Sequence, residues 1–206
     1  WNDQEINAPL LARMVEDAGA SALAVHGRTA AQSYSGESDW SLISRVAESV
    51  SIPVFGSGDC VMPDQVLSRL RDSSALGVLV GRGALRNPWI FSQAASMASG
   101  APAAPEVALE ERGQFLLDYI DLLMRERVDE QQGFRHVAPG VADSVPQPAR
   151  GRERWVINKV RALGAWYTKG LDGGSQLRVA INTTDSLEAL RSLIRDFFFV
   201  GVHAAS

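Results

Sequence analysis

Three segments of the chain combine glycine, arginine and small polar residues in a way that suits capture of a phosphate group: His26-Gly27-Arg28-Thr29, Gly56-Ser57-Gly58-Asp59 and Gly81-Arg82-Gly83-Ala84. Glycine lets a ligand approach the backbone closely, so that N–H groups point at phosphate oxygens. Arg82 adds a charge-assisted hydrogen bond. A single glycine pair of this kind is equally an ordinary turn; three in succession, each closing a short apolar run, carry more weight. His26 stands first in its loop, either as a packed histidine or as a hydrogen-bonding partner for a flavin ring or nucleotide. Asp59 either joins the site or caps the turn that follows. Cys60 has no sequence neighbour that would lower its pKa and reads as structural.

The sequence offers no Ser/His/Asp nucleophilic set, no phosphate loop of the Walker type, no carboxylate pair and no zinc-spaced Cys/His cluster. The visible parts are binding parts. Reaction chemistry then comes from a cofactor or from residues upstream.

A second group of residues is electrostatic. Seven bases (Arg150, Arg152, Arg154, Lys159, Arg161, Lys169, Arg178) and two acids lie between positions 150 and 178, a local charge of +5 within a chain of net charge −4. Such a segment is either a solvated helix face or the footprint of a polyanion. Trp155, Trp166 and Tyr167 are interleaved with these bases, a pattern suited to RNA, where bases stack and the backbone needs cations. Trp166 alone reads better as core packing. Lys159, Arg161 and Lys169 are the stronger phosphate candidates.

The elements that must position these residues follow from hydrophobic pattern. Ser21–Val25, Ile52–Phe55 and Gly77–Val80 are short apolar runs, each followed by a helical pattern, as in parallel β/α units. Helices are expected from Asn7 to Gly19, over 42–50, from Pro63, and over 84–97. The small-residue and proline stretch 99–105 reads as a linker. Beyond it the chain is expected to be all-helical: about 106–131, then a proline-rich loop from Gly133 to Pro148, then 155–169, 177–182 and 186–199. Strand ends that carry glycines and an arginine match the face on which β/α barrels build their sites, often with a phosphate at the last two strands.

The 206 residues suit one or two domains at about 150 residues each. No apolar run approaches the ~20 residues of a membrane helix, no secretory leader is visible, and the single cysteine makes no internal disulfide, so a cytoplasmic protein without membrane or metal partners is expected. The first residue is Trp1, which suggests a start inside a longer gene product; three β/α units alone would also leave sheet edges and one face uncovered.

Taken together, these residues resemble the tRNA-dihydrouridine synthase family. The similarity runs through Val25-His26-Gly27-Arg28-Thr29 with Gln32, Tyr34, Gly36 and Asp39-Trp40, then Ile52-Pro53-Val54, Gly58-Asp59, Gly81-Arg82-Gly83-Ala84 and Asn87-Pro88-Trp89-Ile90-Phe91. Trp166-Tyr167-Thr168-Lys169-Gly170 with Leu177-Arg178 resembles the helical tail of the bacterial B-type branch. The resemblance implies an FMN-containing TIM (β/α)8 barrel followed by a helical tRNA-binding domain, here the last three barrel strands in 1–98, a linker at 99–105 and the helical domain in 106–206. It implies that NADPH reduces the flavin, which passes hydride to C6 of a tRNA uridine while a cysteine protonates C5.

Carried over by position, His26 lies at the flavin, and Ser57, Gly58, Asp59, Gly81 and Arg82 at its ribityl phosphate. Arg28 sits at the site mouth, and Arg28, Lys159, Arg161, Lys169 and Arg178 face tRNA. The chain departs from the family at Ser57, where Asn is usual, and at Ala162-Leu163, where many members have Lys-His. The catalytic cysteine belongs to earlier strands, so none is expected within this stretch. A flavin barrel acting on a small molecule would leave the basic segment without a role; a non-catalytic RNA-binding remnant is the other alternative.

Overall fold

A computed structural model describes Asn2 and residues 5–33, 35–126, 128–129, 135–136 and 149–200. The chain divides into two compact units, 1–105 and 106–206.

The first unit is α/β. Helix α1 (Ala8–Asp17) precedes strand β1 (Leu23–His26), followed by α2 (Trp40–Ser49), β2 (Val54–Ser57), α3 (Pro63–Asp72), β3 (Gly77–Leu79), α4 (Arg82–Arg86) and α5 (Ile90–Ala98). The strands form one parallel sheet in the order β1-β2-β3. Asp39 starts α2 by accepting a hydrogen bond from the Leu42 N–H at 2.9 Å. Pro9 and Pro63 occupy the first turns of α1 and α3, where a missing N–H costs nothing. The continuous helix expected over 84–97 is instead two helices. Pro88 cannot extend the first, and it holds Asn87 in an extended conformation (φ −143°, ψ 90°).

Side chains alternate across the strands, so each face of the sheet has its own residues. Leu23, Val25, Val54, Val78 and Val80 face the helices and pack with Ala12, Ile43, Val46, Val66, Ile90 and Ala94. The opposite face carries two cross-strand rows, Ala24-Phe55-Gly77 and His26-Ser57-Leu79. No cluster of buried residues forms on that face among the described residues: Ala24 and His26 are exposed and Leu79 is 45% exposed.

The second unit comprises α6 (Leu109–Arg125), α7 (Ala149–Tyr167), α8 (Gly174–Thr183) and α9 (Leu187–Arg195), which runs on into a π-helical turn at Asp196–Val200. Leu116, Ile120, Val156, Val160, Ile181, Leu190, Ile194 and Phe198 are fully or almost fully buried there. The expectation of an all-helical second half is corrected by two short strands, β4 (Val128–Asp129) and β5 (Arg135–His136), which pair antiparallel. Helix α6 also ends six residues before Gln131. The buried Arg152 guanidinium donates to the carbonyls of Leu123 and Glu126, which satisfies the last turn there. Most of the expected loop 133–148 lies outside the described residues, as does Tyr34.

Ile43 has no exposed surface. Ile43→Ala is expected to cost about 2–5 kcal/mol, read as a lowered urea midpoint; an unchanged midpoint would show that the layer between α2 and the sheet closes over the gap.

Candidate functional site at the strand ends

The three strands end at one level, because His26 stands opposite Ser57 and Ser57 opposite Leu79 in the parallel register. The chain segments that follow therefore emerge side by side. The segment after β1 packs beneath the segment after β2. A Cβ added to Gly56 would lie 2.5 Å from the Trp40 ring, and one added to Gly58 would lie 1.9 Å from Ser38 Oγ. Gly58 also adopts φ +144°, so glycine is required there for space and for backbone conformation alike. The Trp40 indole N–H donates to the Gly58 carbonyl at 3.0 Å from within the core. His26 Cε1 lies 3.7 Å from the position a Gly58 side chain would take, so the imidazole stands against this turn.

Asp59 follows in the left-handed region, φ +51°, a conformation that Asp tolerates better than most residues. Its carboxylate accepts from Arg28 Nη2 at 2.6 and 2.7 Å, a nitrogen it shares with the Gly36 carbonyl, and from the Ser38 backbone N–H at 2.7 Å. Arg28 also donates to the carbonyls of Ser35 and Gly36. With its side chain only 4% exposed, Arg28 lies under the site and not at its mouth. This corrects the expectation that it faces RNA. Its remaining terminal nitrogen, Nη1, is buried without a hydrogen-bond partner. Burial opposes ionisation of Asp59, but the Arg28 and Ser38 hydrogen bonds outweigh it and hold the carboxyl below its ordinary range, with the charges of Arg28 and Arg82 adding to the effect.

The third strand end closes against the second. A Cβ on Gly83 would fall 2.2 Å from the Cys60 carbonyl, and Arg82 Nη2 stands 3.9 Å from Asp59 Oδ1. The Arg82 side chain is 51% exposed, and Gly81 has open space where a side chain would be. Segments 56–59 and 81–84 are thus neighbours. Cys60 is buried, and that burial pushes its thiol up, against the pull of Arg69; a group so placed is a poor thiolate. Among the described residues no group of His, Cys, Asp and Glu is arranged to hold a metal ion, and no helix is long and apolar enough to cross a membrane.

In the second unit the basic segment separates into two kinds of cation. Lys159 and Lys169 are exposed, with Lys159 Nζ 5.7 Å from the Trp155 ring centre. Arg161 donates to the carbonyls of Ile181 and Thr184, and Arg178 to the carbonyl and hydroxyl of Thr168. Both arginines brace α8 against α7 and its C-terminal turn. Their placement differs from that of a solvated face poised for phosphate.

Reading the sequence alone missed Ser38, whose only signal was its place beside Asp39-Trp40; Trp40 and Gly83 stood in the quoted motifs, but nothing local showed that they hold the segments in place.

A parallel β/α unit with glycine- and arginine-bearing segments gathered at the carboxyl ends of its strands is the class in which ligands bind at that edge. The chain belongs to the dihydrouridine synthase (Dus) family, whose family model matches residues 1–162. It is 31% identical over 198 residues to a probable tRNA-dihydrouridine synthase of Rickettsia bellii, covering 96% of this chain and 53% of that one. It is 30% identical over 201 residues to tRNA-dihydrouridine synthase B of Pseudomonas syringae pv. tomato, covering 98% and 52%. A probable tRNA-dihydrouridine synthase of Mycobacterium tuberculosis is 32% identical over 182 residues, covering 86% and 41%. The family resemblance seen in the motifs is borne out, and the chain spans about half the length of the curated relatives it matches.

Two outcomes follow from this geometry. A carboxyl held below its ordinary range stabilises the fold at neutral pH, and that contribution is lost as pH falls through its folded-state pKa. The stability gap between wild type and Asp59→Asn should therefore narrow in acid; urea midpoints from neutral to acid pH that keep a constant gap would remove the linkage. Arg161→Met should lower the stability of the helical unit by about 1–3 kcal/mol, because it strips donors from half-buried carbonyls, whereas Lys169→Ala should leave the melting temperature unchanged.

Proposed function

We propose that this stretch is the C-terminal part of a flavin-dependent tRNA-dihydrouridine synthase, with a section of β/α-barrel wall at 1–98 that holds FMN and a helical part at 106–206 that binds tRNA. The observation that carries the reading is the convergence of Ser57-Gly58, Gly81-Arg82 and His26 at one edge of a parallel sheet. Family membership supports it, and so do the names of the relatives. The bare sheet face supports the barrel: its two rows would line an interior that further strands complete.

The donor set fits the phosphate end of FMN. Arg82 is half exposed, the Gly81 backbone is open on its outer side, and Ser57 contributes a hydroxyl. The Gly58 carbonyl, which would repel an anion, is engaged by the Trp40 indole. The Asp59 carboxylate is paired with Arg28. Ser57, Gly58, Gly81 and Arg82 would hold the phosphate and His26 would stand at the flavin. When bound, FMN would supply the hydride for C6 of a uridine, with NADPH as its reductant. His26, exposed on the bare face in the row beside Ser57, would orient the ring. Proton delivery to C5 falls to a cysteine outside this stretch, since Cys60 is buried with a raised pKa.

For tRNA, Lys159 and Lys169 are the contacts, with Arg161 and Arg178 shaping the helices that carry them. The reaction is cytoplasmic, where tRNA is processed.

The test uses the full-length protein. Arg82→Ala should weaken FMN at least tenfold more than tRNA, and Lys169→Ala the reverse, with the slope of log K against log salt reduced by about one for each phosphate contact removed. Equal losses of both ligands in either variant would refute the division of labour.

A further inference from the structure

Asp59 faces two arginines, and they meet it differently. Arg28 approaches from below with two short hydrogen bonds and almost no exposed surface; Arg82 approaches from the next strand end at 3.9 Å, an ion pair longer than a hydrogen bond, with half its side chain in solvent. The Ser38 N–H and the left-handed backbone fix the carboxylate between them. A carboxylate at an anion site would ordinarily repel a phosphate, and the ion pair with Arg28 offsets that repulsion. What remains is an attraction between Asp59 and the Arg82 guanidinium that spans the two neighbouring strand ends.

We propose that Asp59 is a positioning residue of the anion subsite: anchored by Arg28, it draws Arg82 across from the neighbouring strand end to meet the cofactor phosphate and does not itself touch that phosphate. This rests on the FMN reading above. It gives the Arg28–Asp59 pair a role in affinity as well as in the fold, and it makes removal of a negative charge weaken binding of an anion, the opposite of the simple Coulomb expectation.

The experiment measures the affinities of full-length apoprotein for FMN and for riboflavin, which has the same ring system and no phosphate. Their ratio isolates the contribution of the phosphate. Asp59→Asn keeps the side-chain shape, an acceptor for Ser38 and tolerance of the left-handed backbone. It is expected to lower the ratio about tenfold, the scale of one charge-assisted hydrogen bond, with riboflavin affinity unchanged. In an Arg82→Ala background Asp59→Asn should change the ratio no further.

A ratio that rises or stays constant overturns the proposal. So does an equal loss for both ligands, which would mark Asp59 as a fold residue only, and so does an undiminished effect of Asp59→Asn without Arg82. If Asp59→Asn does not fold, Asp59→Glu reads the same ratio: the charge is kept but displaced by one methylene, so a partial loss is expected and no loss overturns the proposal. A wild-type ratio of one would show that no phosphate is held here, which refutes the cofactor reading itself and this inference with it.

Discussion

A guanidinium taken out of water needs an anion beside it, since an unpaired buried charge costs several kcal/mol. In this protein that constraint ties the ends of two adjacent strands together. Arg28 comes from the segment after β1 and Asp59 from the segment after β2, and their ion pair is the point on which both segments close. Ser38 adds its N–H to the same carboxylate, Gly58 packs against the Ser38 side chain, and Gly83 packs against the carbonyl of the residue after Asp59. The pair joins the two turns to each other, while the Trp40 indole ties the Gly58 carbonyl to the core. With both in place, three strand ends form one edge that carries cations and open backbone.

The same economy appears in the helical unit. Arginine outperforms lysine where several carbonyls must be satisfied at once, because its planar fork offers several donors in fixed directions. Arg152 closes α6, Arg161 closes α8, and Arg178 bonds Thr168 beyond the end of α7. The lysines, compact and strongly hydrated, stay at the surface. Local net charge therefore overstates the charge that a polyanion would meet: part of it is internal mortar between helices.

Much of this was legible in the sequence because it depends on near neighbours. The strands showed as apolar runs, and their polar ends marked the edge where His26, Ser57 and Arg82 gather. What escaped depends on distance along the chain. Arg28 and Asp59 are 31 positions apart, so nothing local distinguishes a buried pair from an exposed arginine at a site mouth. The carbonyl partners of Arg161 and Arg178 are likewise set by how helices pack. The break at Pro88 is different: its signal was present in the residue itself, but the helical pattern on either side masked it. Strands β4 and β5, with two residues each, are too short to carry any period.

Trp40 joins two regions that are usually separate. Its ring fills the core under β2, with the Arg69 guanidinium over one face at 5.3 Å, while its N–H reaches the Gly58 carbonyl. The turn thus inherits the stiffness of the hydrophobic layer behind it. A ligand arriving at Gly58 meets a surface whose shape is already fixed, and a core substitution that lets the indole tilt would be felt at the strand end with no residue there exchanged.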